Sequence, residues 1–136
     1  MKKIYLDTNF ILDYFVREQE PGDCERLLRY GHSRKYDFYI SYLSVANFAY
    51  IMRKLPQEEL YTKIRSICSV FNVVKNTKEQ ILKNLEMKVD DFEDGLQYQA
   101  ALEAKCDVII TRNQKDFIFS NIPIMSPREY LDSISY

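Results

Sequence analysis

Apolar residues recur along this chain in two rhythms, short runs of strand character and longer stretches with helical spacing, and the two alternate from end to end. Residues 3–6 (Lys-Ile-Tyr-Leu) read as a first strand, and the dense apolar run over residues 10–15 as a short helix. Residues 18–22 (Glu-Gln-Glu-Pro-Gly) read as a turn, and residues 23–32 as a helix through Cys24, Leu27 and Leu28. Residues 37–40 form a second strand. Ser44 is placed to cap a helix through Val45, Phe48, Ile51 and Met52, and Pro56 suits the first turn of the next one, whose stripe is Leu60, Ile64, Ile67 and Cys68. A third strand is expected at 71–74. Thr77 with Gln80 makes a capping box, a further helix spans 92–105, and residues 106–110 lead into a buried strand. Residues 122–125 give a last short strand, and Ser126-Pro127-Arg128-Glu129 opens a closing helix. Strands alternating with helices predict a mostly parallel sheet covered on both faces.

Composition narrows the class of function. The chain has 136 residues, one domain's worth, with 19 basic and 20 acidic side chains, so no global field draws it to nucleic acid and any such contact needs a local patch. Only 3 Gly and 4 Pro leave little room for linkers. No apolar run approaches the roughly 20 residues that cross a bilayer. Cys24, Cys68 and Cys106 are widely spaced, and with no leader-like N-terminus they are expected to be reduced thiols in the cytoplasm. His32 is the single histidine, which leaves no basis for a zinc site or a Ser-His-Asp triad. The 11 Tyr and 8 Phe fall mostly at core spacing, so packing accounts for them before base stacking does.

The chemistry gathers at four polar spots. Asp7-Thr8-Asn9 follows the first strand directly, and open parallel sheets place their chemistry at such strand tips. The others are residues 41–47, 90–94 and 111–117. With parallel strands the first, second and fourth share one edge of the sheet. The helix opened by Asp91 leads into the strand at 106–110, and as a plain crossover it is expected to begin at the opposite edge. Asp91 as N-cap with Asp94 three residues on is also plain helix-start chemistry, contributing about 0.3–1 kcal/mol. Ser44 with Asn47, and Asp116 as a turn cap, have similar structural explanations. Asp7 does not, because a carboxylate at a buried strand end needs a partner to offset its desolvation. A hard divalent cation, Mg²⁺ or Mn²⁺, would take such oxygens, activate water and stabilise an in-line phosphodiester displacement.

These pieces, in this order, resemble the PIN domain, the nuclease fold of many bacterial toxin ribonucleases. The resemblance rests on Asp7-Thr8-Asn9, Ser44-Val45-Ala46-Asn47, Asp91-Phe92-Glu93-Asp94-Gly95-Leu96-Gln97, Ile110-Thr111-Arg112-Asn113 and Lys115-Asp116-Phe117, and it covers essentially the whole chain. It implies an α/β fold, a three-layer α/β/α sandwich with a mostly parallel central sheet, as one domain over residues 1–136. It further implies a metal-dependent endoribonuclease with an acidic pocket for Mg²⁺ or Mn²⁺. Asp7 and Asp94 correspond to the family's first and third acids and Asp116 to a late one, so these three are the expected catalytic and metal-holding residues. The family's late helix brings the Asp94 position into the pocket. Asn9, Asn47, Asp91, Thr111 and Asn113 are expected in support, and Arg112 and Lys115 at the RNA. Two positions depart from the pattern. Asn47 stands where many members carry Glu, and Asn113 where many carry Asp, so weaker metal affinity is expected than in a four-acid relative. The implied partners are an RNA substrate, an antitoxin protein and a second copy of the chain in a homodimer, with no membrane association.

A second class of function stays open, a PIN-like module that binds RNA or a protein without cutting, since Asn47 adds no charge. Arg26, Arg29, Arg34, Lys35, Arg53 and Lys54 are candidate phosphate contacts for it. An aspartyl-phosphate phosphotransferase is a third reading, disfavoured because such enzymes commonly carry a second Asp where Asn9 stands.

Overall fold

Ile4, Tyr5 and Leu6 have no exposed surface, which a strand achieves only between two neighbouring strands and under helices on both faces. This strand, β1 (Lys3–Leu6), is the centre of a five-stranded sheet in a computed structural model that describes residues 2–17 and 22–134. The others are β2 (Asp37–Ser41), β3 (Asn72–Val74), β4 (Val108–Ile110) and β5 (Ile124–Met125), in the order β3-β2-β1-β4-β5. All pairs are parallel, with Ile4 opposite Phe38 on one side and Val108 on the other. The chain therefore builds outward from β1 through β2 to β3, then returns to lay β4 on the far side of β1. The crevice between the ends of β1 and β4 is the topological switch point, where sheets of this kind bind ligands.

Side-chain alternation divides the core into two layers. Ile4, Leu6, Phe38, Ile40, Val108 and Ile110 face one way, onto α1 (Thr8–Leu12), α2 (Asp23–Ser33), α3 (Tyr42–Ile51), α4 (Gln57–Val70) and α7 (Pro127–Ser133). Tyr5 and Ile109 face the other way, onto Tyr98, Ala100 and Ala101 of α6 (Phe92–Glu103), with Met87 of α5 (Lys78–Met87) packed at the margin. The three-layer α/β/α sandwich with a parallel sheet is thus the observed fold. No helix among the described residues is long and apolar enough to cross a membrane, and none of the three cysteines is in a disulfide.

The local expectations hold with four adjustments. Both capping boxes form, at Thr77/Gln80 and at Ser126/Glu129. The cap of α3, however, is Ser41, whose hydroxyl accepts from the Ser44 amide at 3.2 Å, so Ser44 lies inside the helix. A serine three residues upstream is an equally good cap, and the strand end at Ser41 decides between them. Pro56 precedes α4 rather than entering it, and β3 begins at Asn72, with Phe71 buried at the helix–strand corner. The first helix stops at Leu12 and continues as a wider π turn over Asp13–Arg17. The turn expected at 18–22 lies, apart from Gly22, outside the described residues.

Candidate active site

Asp7 is only 4% exposed, and both of its oxygens are held by neutral donors. Gln97 Nε2 donates to Oδ1 at 3.0 Å, and Thr111 Oγ1 donates to Oδ2 at 2.8 Å. Gln97 is in turn fixed from below, accepting from the Tyr5 hydroxyl at 3.3 Å. Burial drives the Tyr5 phenol well above its usual range, so it stays a neutral donor. Thr111 is held at the end of β4, where its hydroxyl also accepts from the Asn113 amide at 3.1 Å. These contacts come from three separate elements meeting at the switch point. Among the described residues, no cationic side chain pairs with Asp7; the nearby Arg112 pairs with Asp13 at 3.4 Å instead.

The carboxylate faces a hollow of about 320 Å³ lined by Asp7, Asn9, Asn47, Glu93, Asp94 and Gln97, with Tyr50 and Ile51 on its outer wall. Across it, Asn47 Nδ2 on α3 donates to Glu93 Oε1 on α6 at 2.7 Å. The N-terminal half of α6 therefore lies at the C-terminal edge of the sheet, contrary to the expectation that it starts at the opposite edge. The reason is directional. A helix feeding a parallel strand runs antiparallel to it, and so must begin at the edge where the strands end.

Asp94 lines this hollow and also its neighbour, a cleft of about 290 Å³ that holds Asp91, Lys115, Asp116 and Ile118. Asp91 caps α6 by accepting from the Asp94 amide at 3.0 Å. Burial, and then the charges of Asp91, Asp7, Asp116 and Glu93, raise Asp94 from the ordinary aspartate range to about 7. Glu93 is raised by burial, then by Asp91 and Asp7, and Asn47 opposes the shift. An acid raised in this way binds more protons folded than unfolded. Its stabilising contribution is full below about pH 4 and is lost as pH rises through about 7. We expect Asp94→Asn to narrow its stability deficit, or widen its advantage, relative to the metal-free native protein as pH climbs across that window. Urea denaturation at pH 5 and pH 8 measures it. Parallel stability curves for the two proteins would mean that the crowding of charge around Asp94 is fictitious.

The expected site residues divide between the two clefts. Asp7, Asn9 and Asn47 line the first hollow, with Thr111 behind Asp7. Asp91, Asp116 and Lys115 line the second, and Asp94 joins them. Asn113 precedes the 3₁₀ turn Gln114–Phe117 that carries Lys115 and Asp116. Arg112 is half exposed and occupied by Asp13. Of the other basic candidates, Arg26 and Arg29 pair with acids on their own helix, while Arg34 and Arg53 lie over Tyr30 and Tyr50. Gln97 and Glu93, both within the motif at 91–97, are contacts to which sequence reasoning assigned no role. For Gln97 the signal was a polar residue inside the apolar run Gly95-Leu96-Gln97-Tyr98; for Glu93 it was membership of the polar spot at 90–94, with its contact supplied by the fold.

Comparison with known proteins agrees with this fold. No curated protein matches the sequence. Solved structures of low identity share the fold, three of them as follows. FitAB bound to an IR36 DNA fragment aligns with TM-score 0.74 at 19% identity, over 91% of this chain and 94% of that one. VapBC2 from Rickettsia felis, bound to a DNA fragment from its promoter, aligns with TM-score 0.70 at 18% identity, over 90% and 96%. A toxin–antitoxin complex from Klebsiella pneumoniae aligns with TM-score 0.65 at 20% identity, over 91% and 97%. In sequence, the family model of the PIN domain matches residues 3–115, a span that runs from β1 into the turn after β4 and takes in every residue around the hollow except Asp116 beside it. This chain belongs to the PIN domain family.

Proposed function

We propose that this chain is a metal-dependent endoribonuclease acting as the toxin of a toxin–antitoxin pair. The observation that carries the proposal is Asp7, a buried carboxylate with two neutral donors and no cationic partner among the described residues. Burying an anion without a counter-charge is costly unless something else neutralises it. The donor set fits a hard cation, since every candidate around the hollow offers oxygen and none offers sulfur or imidazole. Among the described residues, no three carboxylates converge into a ready cage. That suits Mg²⁺ or Mn²⁺, which keeps several waters and binds through one or two carboxylates plus the phosphates of its substrate. Asp7 and Asp94 would hold it, with Asp116 contributing from the adjoining cleft.

When bound, the cation supplies an activated water and neutralises charge on the phosphate under attack. The chain's own residues then have distinct tasks. Thr111 and Gln97 lock the Asp7 carboxylate in one orientation, Asn9 and Asn47 offer amides to waters and substrate, and Asp91 fixes the first turn of α6 under Asp94. Asn113 sets the turn that presents Lys115 to RNA phosphates. Arg112 joins it on leaving Asp13. Exposed Tyr42, Tyr50 and Ile51 of α3, with Tyr61 of α4, offer apolar surface to an antitoxin or to a second copy in a homodimer. A cytoplasmic location follows from the RNA substrate.

Purified protein should cut single-stranded RNA with Mn²⁺ or Mg²⁺, stop on addition of EDTA, and resume when metal is restored. The amide at Asn47 supports the alternative, an RNA-binding module without cleavage. RNA retained at low salt, released at high salt and never cut at any metal concentration would favour that alternative.

A further inference from the structure

We infer that Glu93 is a further carboxylate of the Asp7 hollow, beside Asp94, and that Asn47 is its positioning residue. The inference rests on the metal-dependent reading of this hollow and adds a residue to it. A closed circuit of contacts runs around the cavity. Thr8, next to Asp7, shares a 2.8 Å hydrogen bond with Ser44 on α3. Asn47 lies one turn further along the same helix and donates to Glu93 on α6 at 2.7 Å. Gln97 lies four residues beyond Glu93, on the same face of α6, and donates back to Asp7 at 3.0 Å.

Each link has a consequence. The helical spacing of Glu93 and Gln97 means that the face of α6 which grips Asp7 also carries Glu93 toward α3. Glu93 lines the Asp7 hollow alone, whereas Asp94 is shared with the neighbouring cleft. Among the described residues Glu93 has no ion-pair partner, so its one fixed contact is the Asn47 amide. An amide can hold a carboxylate oxygen by donating to it, while a carboxylate at position 47 would repel it. Asn47 is therefore not a vacated acidic position. It is the donor that allows the acid to come from α6 instead of α3.

Mn²⁺ binding, followed by electron paramagnetic resonance and calorimetry on the full chain, tests this without relying on activity. Glu93→Gln should weaken Mn²⁺ binding roughly ten- to hundred-fold. Asn47→Glu in the native background should weaken it too, by setting two carboxylates face to face. The double variant Asn47→Glu/Glu93→Gln should recover most of the loss, because the charge is restored on the opposite helix. Circular dichroism confirms that each variant is folded. If the native protein binds Mn²⁺ and Asp7→Asn does not, yet Glu93→Gln binds as well as the native chain, this inference fails while the metal-site reading survives. If Glu93→Gln weakens binding but the double variant shows no recovery, Glu93 is a ligand without the exchange, and the role given to Asn47 is overturned. A native protein that binds no Mn²⁺ defeats both.

Discussion

Asp7→Asn is expected to abolish RNA cleavage, by about 10³-fold or more, while leaving the protein as stable as before or more so in metal-free buffer. The activity term follows from removing the buried charge that faces the hollow, since a cation at such a site supplies several kcal/mol of transition-state stabilisation. The stability term follows from the contacts. Gln97 Nε2 can still donate to an amide oxygen at the Oδ1 position. Thr111 can turn its hydroxyl to accept from the new amide nitrogen where it now donates to Oδ2. Hydrogen bonding is thus conserved and an uncompensated buried charge removed, for a gain of up to about 1–2 kcal/mol. A single preparation tests both terms, with cleavage of labelled RNA in Mn²⁺ and urea denaturation in EDTA. A variant that loses activity because it unfolds, or one that still cuts at the native rate, contradicts the role given to Asp7.

The second large effect lies behind the site. Gly95→Ala is expected to destabilise the protein by about 2 kcal/mol, against a total of roughly 5–15 kcal/mol for a domain. Helix propensity alone argues the other way, since alanine in a helix interior is favoured over glycine by about 1 kcal/mol. Geometry decides the sign. A β-carbon at Gly95 would fall 2.6 Å from Val89 Cγ2 and 2.9 Å from Asn84 Cγ, and closer still to Asn84 Oδ1. Asn84 is buried, and its Nδ2 is committed to the Phe92 carbonyl at 2.8 Å, so it cannot swing away without breaking that bond. Helix α5 must therefore move off α6, and Asp94, next in sequence to Gly95, moves with it. Cleavage should fall alongside stability. Chemical denaturation of the variant settles the matter, because a gain of about 1 kcal/mol would mean that the α5–α6 contact yields freely.

How much of the protein was legible from sequence depends on the range of the interaction that specifies each part. Caps are local. Thr77 and Gln80, Ser126 and Glu129, and Asp91 with Asp94 are three residues apart, and all three pairs form as their spacing predicts. Even so, Ser41 displaced Ser44 as the cap of α3, because two serines compete and only the strand end chooses between them. The two-faced alternation of Ile4-Tyr5-Leu6 likewise requires helices on both sides of β1, and they are there.

By itself the sequence determined the strand–helix alternation, the parallel sheet, the membership of Asp7 and Thr111 in one edge, and the family resemblance carried by the motifs. Periodicity and capping act over a few residues, so the one-dimensional order contains them. The meeting of Asp7 with Gln97, the grip of Asn47 on Glu93, and the separation of Asp116 into a neighbouring cleft were decided by tertiary structure alone. These pairs are 46 to 90 residues apart in the chain, and what joins them is the direction in which α6 crosses the sheet. No local propensity encodes that direction. It follows from the crossover into the parallel strand β4, while burying Tyr98, Ala100 and Ala101 against Tyr5 and Ile109 fixes which face of α6 meets the sheet.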